Sequence, residues 1–185
     1  LWIKDRDVAE ARKIGAIQKR LDLVADMRKN AKAPTTRLAA AWPHRFIQIQ
    51  AIAQEYAIIA PRVSSERREY LPVGLVDGDA IISDSALAIY DAPIWNLSVI
   101  ASRLHLVWVA TVCGKLETRY RYSNTLGWNT FPVPLLTEQN KIDLTHCAEA
   151  ILLAREVHFP ATIADLYDPD TMPENLRAAH TRNDE

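Results

Sequence analysis

The sequence is poor in the residues that build redox, metal and nucleotide sites. Among 185 residues there are two cysteines, Cys113 and Cys147, far apart and without a CxxC. That excludes a disulfide scaffold and leaves no basis for a cysteine-built zinc site; a reducing, cytoplasmic setting fits. The five glycines, at positions 15, 74, 78, 114 and 127, form neither GxGxxG nor GxxxxGK[ST], so no loop is shaped to cradle a nucleotide phosphate. The five histidines, His44, His105, His146, His158 and His180, include no HExxH and no ligand pairing with the cysteines. Metal binding is not expected. The chain opens on Leu1 and the charged Lys4, Asp5, Arg6 and Asp7, which is neither a start nor a signal peptide, and it reads as a fragment.

What is present is ordinary globular material. Hydrophobic residues make up 49% and charged residues 24% of the chain, far from the composition that stays disordered, and the length suffices for a core without staples. The net charge of -1 conceals a gradient. Residues 1–70 hold 14 Lys+Arg against 8 Asp+Glu, residues 71–130 hold 4 against 5, and residues 131–185 hold 4 against 10. Contact with a polyanion, if made, belongs to the N-terminal part.

Periodicity predicts a helix over residues 5–33, with Val8, Ile14, Ile17, Leu21 and Val24 on one face and Lys13, Lys19, Arg20, Arg28 and Lys29 decorating the others. Pro34 ends it, and Trp42 to Phe46 reads as irregular. Strands are expected at Tyr56–Ala60, Arg67–Val76 and Ala80–Tyr90, the last two separated by the turn signal Asp77-Gly78-Asp79. Residues 94–112 are apolar nearly all round, but Arg103 and His105 lie mid-segment. A charge at a bilayer centre costs at least about 2.5 kcal/mol, so a buried core helix is expected and a membrane span is rejected. A strand follows at Leu116–Tyr122, then a loop over 123–134. The next helix should start near the N-cap Thr137 and bury Leu144, Cys147, Ala148, Ile151 and Leu152. Phe159-Pro160 stops it, a short turn covers Thr162–Tyr167, and a last acidic helix begins at Pro173.

Catalytic chemistry is hard to find. Ser102 and His105, three apart on an apolar helix, resemble a nucleophile and base only superficially, since no orienting acid or exposed elbow accompanies them. Glu66 with Glu69, and Asp165 with Asp168 and Asp170, read as surface or loop carboxylates without an apolar setting to separate their pKa values. The segment Glu117-Thr118-Arg119-Tyr120-Arg121-Tyr122 is more suggestive. As a strand it would present Glu117, Arg119 and Arg121 on one face and Tyr120 and Tyr122 on the other. Arginine donates two hydrogen bonds to guanine O6 and N7 and a carboxylate accepts from cytosine N4, so Glu117 and Arg119 could read both halves of a G·C pair. A solvated cross-strand ion pair over a tyrosine packing face explains the same pattern. Arg62, Arg67 and Arg68 around Ser64-Ser65-Glu66 suit phosphate contacts, or plain surface charge.

Several segments together resemble one family. Val63-Ser64-Ser65-Glu66-Arg67-Arg68-Glu69-Tyr70-Leu71-Pro72 is similar to the start of the target recognition domain of MmeI-like type IIL restriction-modification enzymes, which are also DNA adenine methyltransferases. Residues 102–108 (SRLHLVW), 114–116 (GKL), 120–123 (YRYS) and 129–132 (NTFP) resemble its successive signatures, and Leu166-Tyr167-Asp168-Pro169, Met172-Pro173 and Ala179-His180 resemble the family's C-terminal helical segment. At Trp128 and Val133 the family more often has Tyr and Trp. The methyltransferase core, with its S-adenosylmethionine loop and Asn-Pro-Pro-Tyr motif, and any endonuclease motif are absent from this sequence.

The resemblance implies an α+β recognition domain, a small sheet with a long buried helix, preceded by a basic helical linker and followed by a C-terminal helical cap. The expected divisions are 1–55, 56–134 and 135–185. The implied function is sequence-specific recognition of duplex DNA for a methyltransferase domain of the same parent chain, in a bacterial or archaeal cytoplasm and without a membrane. By the same resemblance Glu117 and Arg119 select a base pair, Arg121 and Ser83-Asp84-Ser85 lie near bases, and Arg62, Arg67 and Arg68 become phosphate anchors. No cofactor is expected in this fragment; S-adenosylmethionine would bind the parent enzyme, which would be a DNA (adenine-N6) methyltransferase with or without a nuclease. The alternative is a docking module that touches a partner subunit and no DNA.

Overall fold

The computed structural model describes residues 2–185, in two compact units, Leu1–Ala51 and Ile52–Glu185. In the first, a 3-10 turn (Asp5–Asp7) leads into α1 (Val8–Ala11), then α2 (Gly15–Lys29), α3 (Pro34–Leu38) and a second 3-10 turn (Ala39–Ala41). The single helix expected over 5–33 is therefore broken. Gly15 is a poor helix former, by about 1 kcal/mol against alanine, and the chain turns extended at Ile14 just before it. Leu21 packs fully while Ile14, at the break, is exposed. Arg28 also departs from expectation: it is buried, its guanidinium donating to the carbonyls of Ala39, Trp42 and Arg45. Such main-chain capture satisfies three acceptors of an irregular segment that no ladder could serve.

The second unit contains two three-stranded antiparallel sheets. The first has the order β3-β1-β4, with β1 (Tyr56–Pro61) between β3 (Gly74–Asp77) and β4 (Ala86–Tyr90); Ile58 stands opposite both Leu75 and Ile89. The Asp77-Gly78-Asp79 turn thus does not join a hairpin, because β1 lies between the strands it separates. Gly78 is required there by close approach: a Cβ would stand 2.9 Å from the Gln54 carbonyl oxygen. The strands are shorter than expected. Tyr70, Leu71 and Val73 are buried around Pro72 without alternation, as an irregular segment sunk in the core rather than a half-buried strand.

The second sheet has the order β2-β6-β5, from β2 (Val63–Ser64), β5 (Lys115–Leu116) and β6 (Arg119–Arg121). The apolar segment 94–112 is two helices, α4 (Trp95–Ala101) and α5 (Arg103–Val112). Ser102 between them is extended; its hydroxyl donates to the Val99 carbonyl and accepts from the His105 amide. The Ser102–His105 pairing is an N-cap. Thr137 caps α6 (Glu138–Glu156) through a capping box, and Thr162 does the same for α7 (Ile163–Leu166). The last helix, α8 (Glu174–Asp184), follows Pro173. Ile58 and Ala60 of β1, Leu97 and Ile100 of α4, Ile151 of α6 and Leu176 of α8 share one core with Tyr70, Leu71, Leu106 and Tyr167. The class is α+β. No helix among the described residues is long and apolar enough to cross a membrane.

Candidate nucleic-acid interface

Glu117 and Thr118 are the two-residue turn between β5 and β6, where Leu116 faces Arg119 and Lys115 faces Tyr120. Glu117 is left-handed, with φ 59°, as primed hairpin turns demand at their first central position. This corrects the continuous strand expected over 116–122: Glu117 does not alternate with Arg119 and Arg121, but projects from the hairpin tip. The turn still brings the pair together. Arg119 Nη2 donates to Glu117 Oε2 at 2.6 Å, both side chains open to solvent. Arg119 and Arg121 share the exposed face of β6, while Tyr120 is half-buried and Tyr122 buried, as alternation on three residues requires.

The tip leans on the segment that follows β2. Glu66 is held below the usual carboxylate range first by its own main-chain amide, then by the Thr118 hydroxyl, with the Lys115 and Arg119 charges adding to this. Glu66, by local pattern a plain surface acid, thereby joins the tip together with Lys115 and Thr118. Nothing in local pattern could signal that residues so distant in the chain meet, since their proximity comes from β2 pairing with β6.

Arg62 joins the two sheets. Its amide donates to the Ser85 carbonyl at 2.9 Å, and its own carbonyl accepts from the Tyr122 amide at 2.8 Å. The Arg62 guanidinium donates through Nε to the main-chain oxygen of Asp84 at 2.5 Å, and the Ser83 and Ser85 hydroxyls lie 2.6 Å apart. Ser83, Asp84 and Ser85 are all exposed. One residue thus brings the start of β4 beside the end of β6, so that Ser83–Ser85, Arg62, Arg121 and the Glu117–Arg119 pair follow one another along a strip. Arg67 and Arg68, just after β2, make other contacts. Arg67 pairs with Asp170 at 2.8 Å, both exposed, and Arg68 reaches the Ser64 hydroxyl at 3.4 Å.

Behind the strip, His105 Nε2 and the Tyr122 hydroxyl share a hydrogen bond of 2.7 Å in the core. Burial lowers the His105 pKa to about 4 and raises that of Tyr122, so both are neutral and hold the end of β6 against α5. The C-terminal helices are tied in similarly. Arg155 donates to the Val73 carbonyl at 2.6 Å and to the Tyr167 hydroxyl; that hydroxyl contacts His180 Nε2 at 2.7 Å, and the His180 ring stacks on Tyr70 at 4.2 Å. Burial, then the Arg155 charge, depress His180 to about 3. His105, Arg155, Tyr167 and His180 are structural: all four side chains are buried and spent on one another, on Tyr122 or on main-chain carbonyls.

Comparison with known proteins gives consistent matches. The family model described as MmeI, target recognition domain, matches residues 1–135, and that described as MmeI, C-terminal domain, matches residues 136–185. The chain is 37% identical over 184 residues to DNA methyltransferase A of Bacillus subtilis (strain 168), covering 100% of this chain and 21% of that protein. It is also similar to a solved structure of the Type IIL restriction-modification enzyme MmeI in complex with DNA, with TM-score 0.86 and 35% identity, covering 100% of this chain and 24% of that one. The chain therefore spans between a fifth and a quarter of the length of these relatives.

Proposed function

The chain belongs to the MmeI family, as its target recognition domain followed by its C-terminal domain, and from that premise we propose that it reads the sequence of duplex DNA for a methyltransferase domain. The observation that carries the reading is the hairpin tip: a carboxylate and a guanidinium, paired with each other and exposed, can exchange that pairing for the two halves of one base pair. A well-made bidentate contact is worth about 1–3 kcal/mol of discrimination. Arg121 and Ser83–Ser85 extend the reading strip along the groove, and Arg62, Arg67 and Arg68 serve as phosphate anchors, which set register without reading sequence.

No glycine-rich loop of the kind that would hold S-adenosylmethionine follows a strand. Methyl transfer to an adenine, with its cofactor, is assigned to a neighbouring domain, and the cytoplasm of a prokaryote is the setting proposed.

The test is selection of bound duplexes from a random pool at about 50 mM salt, where phosphate contacts remain strong, with the native chain and a Glu117→Lys, Arg119→Asp double variant. A short enriched motif that changes at one base pair in the variant is the expected result. Enrichment of one motif by both proteins would remove the pair from base reading. Failure to bind any duplex would leave a docking module as the better account.

A further inference from the structure

Between β4 and the turn that follows β6 there is a cavity of 180 Å³, room for about six waters at the ~30 Å³ each occupies in the liquid. Its floor is apolar, from Ala60 of β1, Ala88 and Ile89 of β4 and Ile100 of α4, and two aromatic rings, Tyr122 and Trp128, wall it. At its mouth stand Asn124 and Asn129, both exposed. Neither side-chain amide bonds to another described residue. The wall is a π-helical turn, Asn124–Trp128, closed by the Asn129 amide donating to the Asn124 carbonyl at 2.9 Å. Turns of this kind are rare and concentrate at functional sites. Gly127 makes this one possible, since a Cβ there would overlap the Tyr122 ring.

The cavity adjoins the reading strip through the chain itself. Tyr122 follows Arg121, its amide bonded to the Arg62 carbonyl, and Leu87, also lining the cavity, stands two residues after Ser85. Its chemistry is that of a flat, two-faced, polar-edged group. The apolar floor and the Trp128 ring offer stacking surface, and each carboxamide supplies a donor and an acceptor for a base edge. The volume admits a single ring system and excludes a nucleotide with its sugar and phosphate.

We infer that this cavity receives one unpaired nucleobase displaced from the bound duplex, stacked beside Trp128 and hydrogen-bonded by Asn124 and Asn129. The inference rests on the proposed DNA reading and adds to it a second kind of contact, with a base outside the stack. A base already lacking a partner enters without the cost of unpairing, so duplexes with a single-base bulge should bind more tightly than paired ones.

The experiment uses the whole chain and two duplexes of one sequence, fully paired or carrying a single bulged 2-aminopurine, titrated at about 50 mM salt. Expected is a preference of about tenfold or more for the bulged duplex, the unpairing cost saved, with 2-aminopurine emission quenched by Trp128. Ala88→Phe, which fills the floor, and Asn129→Leu, which changes only the exposed mouth, should each abolish the preference by weakening the bulged duplex more than the paired one. Equal affinity of the native chain for both duplexes overturns the inference and leaves the DNA reading standing. A preference that survives both variants overturns it too, by placing the base elsewhere. Binding to neither duplex overturns the DNA reading and the inference together.

Discussion

Glu117 holds a left-handed backbone, φ 59°, in a position where glycine is the usual residue. A side chain there costs on the order of 1 kcal/mol, and the site keeps a carboxylate nonetheless, within 2.6 Å of Arg119. Strain retained at an exposed, weakly stabilising ion pair argues for selection on chemistry. Glu117→Gly is therefore expected to raise the denaturation midpoint slightly while erasing preference at one base pair in the duplex selection. A fall in stability with preference intact would contradict both halves. Legibility at this scale was uneven. The pairing of Glu117 with Arg119 could be read from their spacing, but the turn between them could not, because Glu-Thr carries none of the Asn-Gly or Asp-Gly chemistry that announces a primed hairpin.

His105 and His180 carry a pH dependence whose sign follows from burial. Both are neutral when folded, with pKa values lowered to about 4 and about 3 from 6.5. Below pH 6.5 the unfolded chain takes up protons that the folded chain refuses, so stability falls with falling pH until the folded values are reached. Each histidine contributes at most about 1.4 kcal/mol per pH unit. Urea midpoints should drop between pH 7 and pH 5, and His105→Gln should flatten part of that slope. The exposed carboxylates with lowered pKa values, Asp91 and Asp165 among them, act in a different window, below about pH 4.

Elements were legible where local signals agreed with burial. The strand at Tyr56, the Thr137 cap and the start after Pro173 all fell where their residue types placed them. The apolar run 94–112 did not, because periodicity cannot reveal a cap inside a run that is hydrophobic on every side. Ser102 ends one helix and begins another by bonding in both directions. Ser102→Ala should cost about 1 kcal/mol, measurable by thermal denaturation, whereas Ser102→Asp, which preserves the acceptor toward the His105 amide, should recover part of the loss. A neutral Ser102→Ala would mean that α4 and α5 break for another reason.

At the scale of the molecule, the C-terminal helices complete the core of the recognition unit. Ile151, Leu166, Tyr167 and Leu176 lie in the same cluster as Ile58, Leu97 and Tyr70, and Arg155 satisfies the Val73 carbonyl. Removal of residues 135–185 should abolish cooperative unfolding of the remainder, followed by Trp fluorescence and limited proteolysis, while residues 52–185 alone should unfold in one transition. A cooperative transition in residues 1–134 would show that the helices merely decorate. Charge is divided differently from the core: residues 1–51 carry 11 Lys+Arg against 5 Asp+Glu, and residues 52–185 carry 11 against 18. Attraction for a polyanion is thereby weighted toward the first unit, whereas the Glu117–Arg119 pair lies in the second.

The sequence by itself determined the charge gradient, the helical C-terminus and the nearness of Glu117 to Arg119, because each depends on composition or on residues close together in the chain. Only the tertiary structure decided that Arg62 binds Ser83–Ser85 to the end of β6, that Glu66 supports the hairpin tip, and that Trp128 and the two asparagines close a cavity over β4. Those contacts join segments separated by whole elements. They exist because antiparallel pairing and the burial of one shared core bring distant backbone into register, a constraint distributed over many residues that no single stretch records.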